Sequence, residues 1–139
     1  MRENLFHGKR KDNGKWVEGY YVPVGEYHYI LTGKLELVSY LGFEHFLVIP
    51  ETVGQYAGSP DKNGKKIFEG DICKVTVFTC EGEDKHFLCE VCFDYSSFIF
   101  RERSGLDILF SDICDFDTDV EVIGNIYDNP ELIGGRING

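Results

Sequence analysis

The first candidate for metal chemistry in the sequence is a histidine with three cysteines nearby in the chain. Zinc prefers tetrahedral sites of thiolate and imidazole ligands, and Cys89 and Cys92 have the C-x-x-C spacing of half a zinc site. His86 precedes this pair, and Cys80 lies further upstream. The surrounding residues alternate as in a strand, however, where residues three apart point to opposite faces. Because the sequence has no second C-x-x-C, we expect inert buried thiols and no metal site.

Asp115, Asp117 and Asp119 resemble the start of a calcium-binding loop. An EF-hand needs glycine at its sixth position and glutamate at its twelfth, and here Val120 and Ile126 occupy those positions. The sequence therefore favours a solvated acidic loop over a calcium site.

Three acids flank a turn in the middle of the chain and could form a carboxylate pair for acid–base catalysis: Glu51, Glu69 and Asp71. Nothing in the sequence places these acids close together, and acids in loops are usually exposed to solvent. A carboxylate-dependent hydrolase, with or without a divalent ion, is therefore kept as an alternative function.

Two basic turns carry the alternative of nucleic-acid binding. The candidate binding cations are Lys9, Arg10, Lys11, Lys62, Lys65 and Lys66, with Trp16 and Tyr56 as rings that could stack on bases. The net charge is −10, and the whole acidic excess follows Val75, where four basic and fourteen acidic residues remain. Because that half would repel a phosphate backbone, the composition disfavours a nucleic-acid partner.

The elements that must position these residues read as strands. Asn13-Gly14 and Asn63-Gly64 are hairpin signals, and a type I′ turn at the first corner would place both Asn13 and Gly14 at positive φ. The segment from Ile67 to Val77 alternates as a strand, with Gly70-Asp71 interrupting it at a predicted bulge or sharp bend.

The rest of the chain is predicted as further strands, one of them from Leu35 to Leu41, with one short helix. The helix begins near Ser104, because Leu106, Leu109, Phe110 and Ile113 lie at helical spacing. Residues 131–139 read as a loose tail of a single domain spanning residues 1–139. The apolar runs are far shorter than a membrane helix needs, and an odd number of cysteines without a secretory segment indicates a reducing cytosol.

Three blocks of sequence resemble the YopX family of phage and prophage proteins. They run from Phe6 to Tyr20, from Val48 through Asp61-Lys62-Asn63-Gly64 to Ile72, and from Glu121 to Leu132. The resemblance implies a mainly β fold: an SH3-like, partly open barrel with additional strands. It also implies self-association into a homo-oligomer in the cytoplasm of the bacterial host. It implies no cofactor and no assigned enzymatic activity.

The sequence and the resemblance together predict a phage- or prophage-derived accessory protein that acts as a non-catalytic interaction or structural module. The expected partners are a second copy of the chain and an unidentified phage or host protein, with no membrane. Nucleic-acid binding through an SH3-like barrel and carboxylate-dependent hydrolysis are the alternatives. The low-ranked candidate binding residues are the six cations, Trp16, Tyr56, Glu69 and Asp71.

Overall fold

Strands make up nearly all of the regular structure. The computed structural model describes residues 5–32, 44–78, 82–94, 96–102, 105–109 and 118–133. Its strands are β1 (Phe6–Lys9), β2 (Trp16–Val24), β3 (Tyr27–Thr32), β4 (Glu44–Leu47), β5 (Gly54–Pro60), β6 (Lys66–Phe68), β7 (Asp71–Val77), β8 (Lys85–Asp94), β9 (Ser97–Glu102), β10 (Asp107–Leu109) and β11 (Thr118–Asn125). Short 3₁₀ helices cover Pro50–Thr52 and Pro130–Ile133.

The chain divides into two compact units, Met1–Tyr56 and Ala57–Gly139. In the first unit the antiparallel strands follow the order β4-β3-β2-β1-β5. Ile30 and Val48 are fully buried there. A side chain at Gly8 would meet Val48 at 3.2 Å, so the absence of a Cβ lets β1 lie close to that core residue.

The second unit holds a five-stranded antiparallel sheet in the order β10-β9-β8-β7-β11, and the end of β5 lies beside β6. One face of the sheet carries the core cluster, which consists of Ala57, Ile67, Cys73, Val75, Cys89, Val91, Phe98, Phe100 and Val120. Ile72 and Ile99 are buried on the opposite face. The Pro130–Ile133 helix contacts β8 and buries Ile133.

The prediction of a mainly β fold is confirmed. The alternation along β7 is also confirmed: Cys73 and Val75 are buried in the core, whereas Lys74 between them is exposed. The predicted bend lies between β6 and β7, where Gly70 has a φ of +93°. The two antiparallel sheets do not close into a barrel, and the SH3-like arrangement stays a prediction.

The predicted short helix is wrong where the structure describes it. Asp107–Leu109 is a strand, and Ile108 packs against the core from its position opposite Phe100. The spacing of the apolar residues suits a helix, but a hairpin turn competes with it. Glu102 N–H donates to Leu106 O, and Gly105, at a φ of +100°, donates to Glu102 O. Residues 110–117 lie outside the described residues.

The predicted loose tail is wrong for its first residues, since 131–133 belong to a 3₁₀ helix whose last side chain is buried. Residues 134–139 lie outside the described part of the chain, as does the predicted strand from Leu35 to Leu41. The single-domain assignment stays a prediction. In the described ranges, no helix has both the length and the apolar character that crossing a bilayer requires.

Candidate functional site

The second corner, the turn at Asn63-Gly64, is held together by the buried carboxylate of Asp61. Its Oδ1 accepts hydrogen bonds from the backbone N–H groups of Asn63 and Lys65, each at 2.9 Å. Its Oδ2 accepts a third hydrogen bond from the backbone N–H of Val122 in β11, also at 2.9 Å. Lys62 N–H donates to Val120 O on the same strand, so the corner is bonded along the outer edge of β11.

Burial opposes the charge on Asp61, but the three backbone donors outweigh it, and the pKa of this carboxyl lies below its usual range. Asp61 is therefore an ionised structural group whose acceptor capacity is directed at the main chain. Its burial, with 7 % of the residue exposed, leaves little of it for an external ligand.

Asp71 is the described acid with the most strongly raised pKa. Its Oδ2 accepts a hydrogen bond from Phe68 N–H at 2.8 Å across the bend, and the residue is buried. Desolvation raises the pKa of Asp71 to about 6, against the lowering effects of the Phe68 N–H and the charge of Lys65. A perturbed acid of this kind is a common mark of a catalytic site, but here burial and the bend account for it.

Two of the family-like blocks meet at this bend. Ile126 N–H donates to Gly70 O at 2.9 Å, and Asn125 lies opposite Asp71 in the β11–β7 pairing. A Cβ on Gly70 would lie 3.1 Å from Tyr127 Cε2. Asn125 Oδ1 accepts from the N–H groups of Tyr127 and Asp128 and fixes the turn after β11.

The three proposed carboxylates are divided between the two units of the chain. Glu69 and Asp71 flank Gly70, Glu69 is half-buried, and Glu51 lies in the 3₁₀ helix of the first unit. Over the described ranges, no group of three or more His, Cys, Asp or Glu side chains is arranged to hold a metal ion.

The basic residues of the first corner contact neighbouring rings and acids. Lys9 Nζ lies 5.9 Å from the centre of the Trp16 ring, and the guanidinium of Arg10 lies 4.3 Å from that of Phe46. Arg10 also donates to both carboxylate oxygens of Asp12, at 2.9 and 2.6 Å. The guanidinium of Arg10 therefore already forms a bidentate ion pair with Asp12, which makes it less available to bind a phosphate.

Tyr56 is buried, with 8 % exposed, and this burial opposes a stacking role for its ring. Lys62 Nζ lies 3.9 Å from Glu121 Oε1. Lys65 lies in the second corner, and Lys66 is the first residue of β6. Lys9, Arg10 and Lys11 belong to the first unit and these three lysines to the second.

The cysteines of β7 and β8 behave as the strand pattern predicts. Cys73 and Cys89 face each other across the two strands and are fully buried, whereas Cys92 points to the opposite face and is half-buried. Burial raises the pKa of Cys73 well above its usual range and that of Cys89 to about 12.

Alkylation of the native protein with iodoacetamide is therefore expected to label Cys92 at least about tenfold faster than Cys73 or Cys89, since reaction needs an exposed thiolate. Peptide mapping after a timed quench measures each rate separately. The same reaction in urea is the control, where the three rates should converge. Equal rates in the native protein would contradict the buried positions.

An exposed apolar strip on β2 and β3 was missed by the sequence reasoning. Val24 and Tyr27 face each other across the hairpin with 55 % and 50 % of their surfaces exposed. The pairs Val22–Tyr29 and Tyr20–Leu31 follow on the same face, because side chains alternate along a strand. Tyr20 is exposed there, whereas the other three side chains are half-buried. Alternating apolar residues on both arms of a hairpin were the available signal, but this pattern is also expected of a buried face.

The fold and these sites define a mainly β protein of two antiparallel sheets, in which the two best-placed acids bind backbone N–H groups. The sequence matches the family described as YopX protein over residues 6–134. The chain belongs to the YopX family, which confirms the resemblance drawn from its three blocks.

A solved structure with a similar fold is the crystal structure of protein EF1440 from Enterococcus faecalis. The TM-score is 0.57 with 22 % sequence identity, and the likeness covers 96 % of this chain and 99 % of that chain. At this identity the likeness concerns the fold alone. No curated protein matches the sequence.

Proposed function

We propose that the chain is a phage- or prophage-encoded accessory protein that works by non-catalytic self-association in the bacterial cytosol. The phage origin and the compartment rest on the family resemblance. The non-catalytic role is supported by the engagement of Asp61 and Asp71 with main-chain donors. The observation that carries the proposal is the exposed apolar strip of β2 and β3.

A continuous row of apolar side chains that are exposed or half-buried is typical of protein contact surfaces. The strip consists of cross-strand pairs on one hairpin, so a second copy related by a twofold axis can place the same row against it. Tyrosine is enriched in such contacts because its ring buries apolar area while its hydroxyl keeps a polar partner.

The charge distribution favours a second copy meeting the first unit in particular. Residues 1–56 carry six basic and seven acidic side chains, a net charge of −1, whereas residues 57–139 carry eight basic and seventeen acidic side chains, a net charge of −9. Two second units would repel each other at close approach, while two first units would not. The strip lies in the nearly neutral unit.

Light scattering coupled to size-exclusion chromatography tests this proposal. Wild-type protein is expected to run as a dimer, and Tyr27→Lys should raise the dissociation constant at least about tenfold, because each dimer would bury two unpaired charges. Phe93→Lys is the matched control: Phe93 is an aromatic residue with the same exposure of 50 %, located in the second unit. It should leave the dimer intact. A monomeric wild type, or a dimer insensitive to Tyr27→Lys, would contradict the proposal.

A further inference from the structure

Two corners of the chain share the tripeptide Asn-Gly-Lys, at Asn13-Gly14-Lys15 and Asn63-Gly64-Lys65. Asparagine followed by glycine is the pair most prone to spontaneous deamidation, because a glycine nitrogen meets no side chain as it approaches the asparagine amide. The backbone N–H of the glycine is bonded similarly in both corners, from Gly14 to Arg10 O and from Gly64 to Asp61 O, each at 3.0 Å. That bond therefore does not distinguish the two corners.

The N–H of the lysine does distinguish them. Lys15 N–H donates to the side-chain Oδ1 of Asn13 at 2.9 Å. This bond closes an Asx turn that spans the intervening Gly14. In the second corner the corresponding donor, Lys65 N–H, is directed at Asp61 Oδ1.

We propose that Asn13 is a site of spontaneous deamidation in the folded protein and that the Asp61 carboxylate protects Asn63 from the same reaction. The Lys15 N–H stabilises the negative charge that develops on Asn13 Oδ1 as the glycine nitrogen attacks, in the manner of an oxyanion-hole donor. The same bond holds the reacting groups near one another.

The reaction consumes water and releases ammonia. The Gly14 nitrogen gives its proton to solvent base and forms a bond to Asn13 Cγ, and the Cγ–Nδ2 bond breaks as ammonia leaves with a proton. Water then opens the five-membered succinimide at either carbonyl. Opening at Cγ gives an aspartyl residue, and opening at the main-chain carbonyl gives an isoaspartyl residue whose chain runs through Cγ.

The product places a new carboxylate beside Asp12, which holds the Arg10 guanidinium. It therefore adds a second acid within reach of the cation that lies on Phe46. The isoaspartyl form also lengthens the corner between β1 and β2 by one main-chain carbon.

The test is a time course of the full-length protein at neutral and mildly alkaline pH, followed by peptide mapping and isoaspartyl-specific enzymatic methylation. In the native protein, Asn13 is expected to deamidate at least about tenfold faster than Asn63, which corresponds to one well-placed hydrogen bond to the developing oxyanion. In urea the two rates should be nearly equal, because the two residues that follow each asparagine are the same, glycine and lysine. A further Asn-Gly at positions 138–139 is scored on its own peptide.

Two conservative variants show which asparagine undergoes the fast deamidation. Asn13→Gln should remove the fast deamidation from the peptide that holds the first corner, because the larger ring closes slowly, and Asn63→Gln should leave the rate in that peptide unchanged. Equal native rates at the two corners, faster reaction at Asn63, or a rate difference that persists in urea would each overturn the proposal.

Discussion

Replacing Asp61 with alanine is expected to lower the free energy of unfolding by about 3–5 kcal/mol. The substitution removes the acceptor shared by the N–H groups of Asn63, Lys65 and Val122, and each of these partly buried donors left without a partner costs roughly 1–2 kcal/mol. Urea unfolding at neutral pH measures the loss. Hydrogen exchange gives a local readout, since the amides of Lys65 and Val122 should lose protection together.

Asp12→Ala is the matched control, because Asp12 is an exposed acid in the other corner and binds one arginine side chain. Surface pairs of this kind contribute little, so its unfolding midpoint should stay near that of the wild type. The loss of unfolding free energy in Asp61→Asn should lie between those of Asp61→Ala and Asp12→Ala. Its amide oxygen can still accept a hydrogen bond within the corner, whereas its NH₂ group would face the Val122 N–H, which is also a donor. A loss no larger than that of Asp12→Ala would show that the carboxylate does not hold the corner.

Asp71→Asn is expected to stabilise the protein at neutral pH by up to about 3 kcal/mol, the free energy equivalent to the shift from 3.8 to about 6. Because the folded pKa is raised, the folded state binds more protons than the unfolded state within this window. The contribution of Asp71 to stability is thus full below pH 3.8 and is lost as the pH rises through about 6. The amide of asparagine keeps an acceptor for Phe68 N–H without a charge to desolvate.

The measurement is the difference in unfolding free energy between the variant and the wild type across this pH range, so that the other acids cancel. The difference should be small in acid and should grow as the pH rises through the window. Asp71→Ala is the companion variant: it also removes the charge but leaves Phe68 N–H without its acceptor, so it should gain less. If Asp71→Asn lowers the free energy of unfolding at neutral pH, the charge on the Asp71 carboxylate does not destabilise the folded protein.

Local patterns in the sequence predicted the strands because strand alternation and turn chemistry are local properties. The bend at Gly70 and the two Asn-Gly corners were found in this way. The type I′ turn at the first corner is wrong, since Ser96 is the one non-glycine residue at positive φ among those described. The loops are longer: Arg10 N–H donates to Lys15 O, and Asp61 N–H donates to Lys65 O.

The roles of the acids could not be predicted, because their partners are backbone N–H groups that the sequence does not display. Asp61 binds Val122, which is 61 residues away in the chain, and only the folded arrangement of β11 places that donor beside the corner. Tyr56 shows the same limit: the sequence allowed its ring to be stacking or buried, and its burial is set by the packing of distant strands. The hairpin that replaced the predicted helix depends on the pairing of Ile108 with Phe100.

The bonds from the second corner to Val120 and Val122 also bear on solubility. An outermost strand with open N–H and C=O groups can pair with the same strand of another molecule and grow into fibres. By occupying these two positions, the corner blocks such growth along β11. A chain cut or extended at residues 62–64 would therefore be prone to polymerise, whereas the exposed loop at residues 11–14 is the safer place to insert a tag.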